Sequence, residues 1–246
     1  DFIAHSFVRS KQDVLDVQHE IDKYESNIKI IAKIENEEGV SNIDGILENV
    51  YGIMVARGDL AIEIPYEKIP GIQKMIIDKC IRNRKPVIVA TQMLHSMISN
   101  PRPTRAEVSD IASAIYSQTD AMMLSGETAN GKYPVEAVKT MTRVALEVEN
   151  NKEKFLDLPF VSSAGEISAY LAKVAVKTSV RTGARAAIAD TITGRTIRDM
   201  ASYRGCNIVL AQCYSARTMR ELALSYGVYA SYQERRKSVD EFINIA

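Results

Sequence analysis

Ile28-Lys-Ile-Ile-Ala-Lys-Ile-Glu-Asn36 decides the fold, because it is a nearly continuous apolar run that stops on charge. Such a run reads as a strand buried on both faces, as in a parallel sheet. Three further stretches share its plan: Gly52-Ile-Met-Val-Ala-Arg-Gly-Asp59, Pro86-Val-Ile-Val-Ala-Thr-Gln92 and Ala121-Met-Met-Leu-Ser-Gly-Glu127. They recur at intervals of about 30 residues, the size of a strand-plus-helix unit. When such strands close into a barrel, their C-terminal ends converge on one pocket. Here that pocket would gather Lys33, Glu35, Arg57, Asp59, Thr91 and Ser125.

Outward from these runs the pattern continues. Asp1–Arg9 reads as a first strand ending in Ser6 and Arg9, followed by a helix over Gln12–Tyr24. A short helix is expected over Glu38–Glu48, and the third strand is expected to end in Arg57-Gly58-Asp59, ahead of a loop with Pro65 and Pro70. Ile69–Arg84 carries Ile72, Met75, Ile76 and Cys80 at helical spacing. In Pro101-Arg-Pro-Thr-Arg-Ala-Glu107, Thr104 is placed to cap a helix through Tyr116. Gly131-Lys-Tyr-Pro134 then breaks the chain before a long helix from Val135 to about Lys154. Five strands alternating with helices argue for a parallel α/β sheet.

Asp157-Leu-Pro-Phe-Val-Ser-Ser163 is linker-like and divides the expected domains at 1–158 and 159–246. Beyond it, helices over Ile167–Thr182, Gly194–Tyr203, Ala216–Tyr226 and from Val239 onward alternate with strands over Arg185–Ala189, Ile208–Cys213 and Val228–Tyr232. This is a second α/β pattern.

Composition sets outer bounds. Hydrophobic residues make up 46% of the 246, enough for a sizeable core. Lys+Arg and Asp+Glu number 31 each, so no bulk field favours nucleic acid or an anionic membrane, and neither is expected as a partner. Cys80, Cys206 and Cys213 form no CxxC pair and no metal-ligand spacing. Without a signal peptide or long apolar span, a reducing cytoplasm is the expectation. The chain opens on Asp1 and enters a strand-like run within two residues, which reads as a start inside a domain.

Lys33 and Glu35 lie two apart on a strand and so share a face. Glu35 and Asp59 can supply two oxygens to magnesium, which takes one or two protein carboxylates and completes its octahedron with water and substrate oxygens. Lys33 beside it offers a fixed positive charge for an oxyanion or a transferring phosphoryl group. Gly58 brings a backbone amide, free of a side chain, to where a substrate carboxylate could approach. Thr91 and Ser125 are weak acids suited to a proton relay through water. Taken singly, each reads otherwise: a surface Lys–Glu pair, a tight turn at Arg57-Gly58-Asp59, capping hydroxyls at Thr91 and Ser125. His5, His19 and His95 show no partner spacing, and His95 reads as a helix-surface residue. Joint placement at successive strand ends favours one site.

These residues resemble the pyruvate kinase family. Ile28-Lys-Ile-Ile-Ala-Lys-Ile-Glu-Asn-Glu-Glu-Gly-Val40 is similar to its active-site signature, and Met54-Val-Ala-Arg-Gly-Asp-Leu60, Ala90-Thr-Gln-Met-Leu94, Asn100-Pro-Arg-Pro-Thr-Arg-Ala-Glu-Val-Ser-Asp110 and Met123-Leu-Ser-Gly-Glu-Thr-Ala129 follow in the family's order. The likeness covers nearly the whole chain and is strongest over 28–137. It implies a fold of part of a (β/α)8 barrel, strands four to eight, followed by a smaller, incomplete three-layer α/β domain. It implies magnesium on Glu35 and Asp59, and Lys33 stabilising the phosphoryl group and enolate. Gly58 and Asp59, with the backbone of Ala56 and Arg57, would take the substrate carboxylate, and Thr91 with Ser125 behind it would protonate the enolate. The implied reaction is phosphoenolpyruvate plus ADP giving pyruvate and ATP. Potassium is implied with ligands outside this chain, as is a homotetramer. Ala61 stands where the family usually has glycine, and reads as tightening the loop after Asp59. Five barrel strands leave two unpaired edges, so the 246 residues alone are expected to be inactive.

Thr191-Ile-Thr-Gly-Arg-Thr196 follows a strand and opens a helix, with hydroxyls and free amides where a phosphate could bind. It resembles the loop where many pyruvate kinases hold a sugar phosphate; the simpler reading is that Thr193 or Thr196 caps the helix. Two other functions fit parts of the pattern: a metal-enolate lyase or aldolase using the same Lys, Glu and Asp, and a non-catalytic effector-binding or subunit-contact module.

Overall fold

The computed structural model describes residues 1–151 and 167–235. Apart from Asp1, they belong to two compact units, Phe2–Glu153 and Lys154–Ala246. The linker-like 157–163, the end of the long helix beyond Asn151 and the helix from Val239 lie outside the described residues.

The first unit runs β1 (Phe2–His5), α1 (Lys11–Asp22), β2 (Lys29–Ile34), α2 (Glu37–Ser41), α3 (Ile43–Asn49), β3 (Gly52–Ala56), α4 (Arg57–Glu63), α5 (Ile69–Arg82), β4 (Val87–Ala90), α6 (Arg105–Tyr116), β5 (Ala121–Met123), α7 (Gly126–Ala129) and α8 (Pro134–Asn151). Its five strands form one parallel sheet in sequential order. The apolar runs explain this: every residue of β3 is buried, and Ile31, Ile34, Ile53, Val55, Val87 and Val89 are almost fully so. A strand flanked by helices on one face and barrel interior on the other has no solvent face for polar residues. The capping expectation at Thr104 is met: the Glu107 amide donates to Thr104 Oγ1, and the Thr104 amide donates to the Glu107 carboxylate at 2.7 Å.

Several local expectations are corrected. The first strand stops at His5, because Phe7 takes a left-handed φ of 53° that turns the chain. The helix expected over 38–48 is broken at Asn42 into α2 and α3; Asn36 caps α2 through the Gly39 amide at 2.7 Å. Gly39 is required there, since a Cβ would overlap the Val8 carbonyl. The third strand ends at Ala56, and Arg57-Gly58-Asp59 forms the first turn of α4. Ala61 is an exposed residue of that helix rather than of a loop. Pro70 lies in the first turn of α5 rather than in a loop, where its missing N–H costs nothing.

The second unit runs α9 (Ile167–Arg181), β6 (Ala186–Thr191), α10 (Arg195–Ser202), β7 (Ile208–Cys213), α11 (Ala216–Leu222) and β8 (Val228–Tyr232), with β6, β7 and β8 parallel in that order. Val209, Ala211 and Cys213 on one face of β7 pack with Ala172, Val176, Ile197, Met200 and Leu222. The helices therefore cover one face, and Ile188, Ile208 and Tyr229 on the other are exposed. Among the described residues this is two layers of the three expected. β7 and β8 fall on their expected bounds, whereas α11 ends four residues early.

Candidate active site

The strand register brings the singled-out residues to one rim. His5 pairs with Ala32, Ile34 with Val55, Ala56 with Ala90, and Ala90 with Met123. Ser6, Glu35, Arg57 to Asp59, Thr91 and Ser125 lie just beyond those pairs, all at the carboxyl ends of the strands, with Lys33 one residue inside the end of β2.

Lys33 and Glu35 share a face as their spacing requires, with Nζ 2.8 Å from Oε1. Glu35 is buried; its second oxygen accepts from the Phe7 amide at 2.5 Å. Lys33 Nζ also donates to Ser6 Oγ at 3.0 Å. Asp59 arrives from the first turn of α4 and meets Glu35. Its carboxyl is pushed above the usual carboxylate range, first by burial, then by hydrogen bonding with and repulsion from Glu35, with Lys33 opposing. Two carboxylates forced together beside one lysine form a site with excess negative charge.

The β4 end is held by its neighbours. Thr91 and Gln92 have φ of 70° and 55°, a conformation that costs a non-glycine residue about 1–3 kcal/mol and persists only where the surroundings impose it. Thr91 Oγ1 accepts from the Gly58 amide at 2.8 Å and donates to the Ala90 carbonyl at 2.6 Å. The amide expected to face a substrate carboxylate thus points at the hydroxyl expected to serve protonation.

Arg57 departs from the expectation that its charge joins the pocket. Its side chain is buried, with Nη1 2.7 and 2.6 Å from the two Asp110 oxygens and Nη2 donating to the Thr91 carbonyl at 2.8 Å. Its backbone alone remains beside Gly58 and Asp59. Ser125 lies two residues past the end of β5, at the start of α7, and its amide donates to Glu127 at 2.8 Å. His95 is exposed on a 3-10 turn, His95–Ile98.

Four residues were given no role in the sequence reading. Ser6 touches Lys33. Phe7 donates to Glu35. Asp110 anchors Arg57. Glu127, buried, accepts from both Leu94 and Ser125 amides and so joins the ends of β4 and β5. Ser6 had a signal in its place at a strand's polar end; Asp110 and Glu127 sat inside quoted motifs with nothing to separate them from surface acids.

In the second unit, Gly194 caps α10 with φ of 79°, and its amide donates to Thr191 Oγ1 at 2.9 Å. No side chain caps this helix, so Thr193 and Thr196 do not serve as caps. Both are exposed, as are Ile192 and Arg195.

The donor set fits magnesium. Glu35 and Asp59 offer hard oxygens in contact, the repulsion between them is one that a cation would relieve, and among the described residues no larger cluster of His, Cys, Asp and Glu competes. Magnesium needs no more protein ligands than these.

A parallel barrel segment whose carboxyl-end rim carries a carboxylate pair, a lysine and a strained threonine has the layout of an α/β-barrel enzyme. Comparison with known proteins makes this specific. The family model "Pyruvate kinase, barrel domain" matches residues 1–138, and "Pyruvate kinase, alpha/beta domain" matches 170–246. The chain is 51% identical over 247 residues to a pyruvate kinase of Borreliella burgdorferi, covering 99% of this chain and 52% of that protein. It is 47% identical to one of Geobacillus stearothermophilus, covering 100% and 42%. A crystal structure of a pyruvate kinase from Cryptosporidium parvum superposes with a TM-score of 0.93 at 40% identity, covering all of this chain and 52% of that one. The chain belongs to the pyruvate kinase family. It spans about half the length of these relatives.

Proposed function

We propose that this chain supplies part of the catalytic rim of a pyruvate kinase, which transfers the phosphoryl group of phosphoenolpyruvate to ADP and protonates the resulting enolate to pyruvate in cytoplasmic glycolysis. The observation that carries this reading is the contact of Glu35 with Asp59 beside Lys33. Magnesium, held by Glu35 and Asp59, supplies charge neutralisation for the transferring group. Lys33 adds a cation that needs no reorganisation, because Ser6 and Glu35 already hold its ammonium. The amides of Gly58 and Asp59, with the backbone of Ala56 and Arg57, orient the substrate carboxylate. Once the bond from phosphorus to the enolate oxygen has broken and the phosphoryl group has gone to ADP, the Thr91 hydroxyl, released from Ala90, passes a proton through water to the methylene carbon of the enolate. Ser125, just past the neighbouring strand β5, continues that path and returns the proton to Thr91.

Potassium is a second proposed cation, with ligands outside this chain, and part of the nucleotide site is proposed to lie there too. Thr191, Thr193, Gly194, Arg195 and Thr196 form a proposed loop for a phosphorylated sugar effector, supported by the exposure of Thr193 and Thr196 and by the lack of a side-chain cap at the start of α10. A homotetramer and a domain division at 158/159 complete the proposal.

A coupled assay decides between this reaction and aldol cleavage. A polypeptide carrying these residues in a complete barrel should turn over phosphoenolpyruvate with ADP and leave hydroxyacid aldols intact. The reverse result would assign the rim to a lyase.

A further inference from the structure

Arg57 stands between two parts of the rim. Its backbone precedes Gly58 and Asp59, whereas its guanidinium reaches across to the next strand. Nη1 is fixed by both oxygens of Asp110, 53 residues away, and Nη2 holds the carbonyl of Thr91. Thr91 is the first of two consecutive left-handed residues, so its carbonyl has left the ladder that pairs β4 with β3, and Arg57 is what receives it. The same twist sets Thr91 Oγ1 on the Gly58 amide. The planar guanidinium sets two separate nitrogens at fixed spacing, one on the carboxylate and one on the carbonyl, a geometry that the single ammonium of lysine does not reproduce. A buried ion pair is by itself weak evidence for added stability. Here its second arm ends on the residue assigned to proton transfer.

We propose that Arg57, clamped by Asp110, is a positioning residue that holds Thr91 in its left-handed conformation with the hydroxyl over the Gly58 amide, and so serves enolate protonation more than phosphoryl transfer. This rests on the reading of Thr91 given above. Asp110 touches no substrate in that reading, which makes it the clean position to perturb.

The test compares Asp110→Asn, Thr91→Val and the double variant in a complete barrel, following ATP formation by rapid quench and the proton step by loss of tritium from the methyl group of pyruvate. Asp110→Asn should slow proton exchange by about 10–100-fold, the scale of a misplaced catalytic group, and alter ATP formation by less than about threefold. The double variant should be no slower in exchange than Thr91→Val. Asp110→Glu should restore exchange, and Arg57→Lys, which keeps the charge and loses the fork, should repeat the Asp110→Asn pattern if that variant folds poorly. Losses that multiply in the double variant, or equal losses in both steps, would overturn the positioning role alone. A Thr91→Val protein with undiminished exchange would overturn the assignment of Thr91 and this inference with it.

Discussion

Lys33 Nζ lies 2.8 Å from Glu35 Oε1, in an ion pair whose carboxylate side is almost fully buried. Such a pair, placed against the second carboxylate of Asp59, is a poor device for stability and a good one for holding a divalent cation. Glu35→Gln removes half of the carboxylate pair. Saturating Mg2+ should raise the melting temperature of the parent protein by about 5 °C, as expected for a ligand well above its Kd, and leave the variant unchanged. Equal shifts in the two proteins would place the cation elsewhere.

The raised Asp59 carboxyl gives a pH dependence of definite sign. Its folded pKa lies above the unfolded one, so in EDTA its contribution favours folding at low pH and is lost as pH rises through the raised value. Cation binding runs the other way, since the proton and Mg2+ compete for the same oxygens: affinity should fall by up to about tenfold per pH unit below that value. Calorimetric titrations of Mg2+ across pH 4 to about 7 check this. An affinity independent of pH over that span would exclude Asp59 as a ligand.

Glu107 behaves oppositely. Burial alone would raise its carboxyl, but hydrogen bonds from Ser96 and Thr104 outweigh it and hold the group below the usual range. Its contribution is present above the unfolded pKa and is lost as pH falls through the folded value. Thr104→Val removes the cap of α6 and should cost about 1 kcal/mol in urea unfolding at neutral pH, with a smaller difference in acid. An unchanged midpoint would show that the capping box carries no weight.

At Gly194 the backbone is left-handed, and a Cβ would stand 2.7 Å from Arg198 Nη1 and 3.2 Å from Leu222 Cδ2. Gly194→Ala should therefore cost about 1–2 kcal/mol in stability. It should also weaken calorimetric binding of fructose bisphosphate or another phosphosugar, if the loop serves as proposed. Binding unaltered in a destabilised variant would separate the loop from any effector.

Much of this architecture was legible from residue patterns. The apolar runs marked β2, β3 and β4 most sharply, because a strand buried on both faces admits few polar residues, and Thr104 announced its helix through local capping. What stayed hidden depended on distance along the chain. Arg57, Gly58 and Asp59 read as a strand's loop end, yet they coil into α4, where Ala61 and the following Ile62 and Glu63 continue the helix. Nothing at Arg57 announces Asp110, whose partnership exists only once the start of α4 and α6 come together. The left-handed turn at Thr91 and Gln92 also escapes reading, since neither is a glycine or an asparagine. The carboxylate pair was legible because strand ends in a barrel converge, a rule of topology rather than of local sequence.

Steady-state turnover of phosphoenolpyruvate and ADP by Lys33→Met in a complete barrel tests the central claim most directly. Loss of the lysine that Ser6 and Glu35 hold at the rim should lower kcat by about 10³-fold, with circular dichroism unchanged. Residual turnover at tens of per cent of the parent would contradict the role assigned to Lys33, and with it the reading of this rim as a phosphoryl-transfer site.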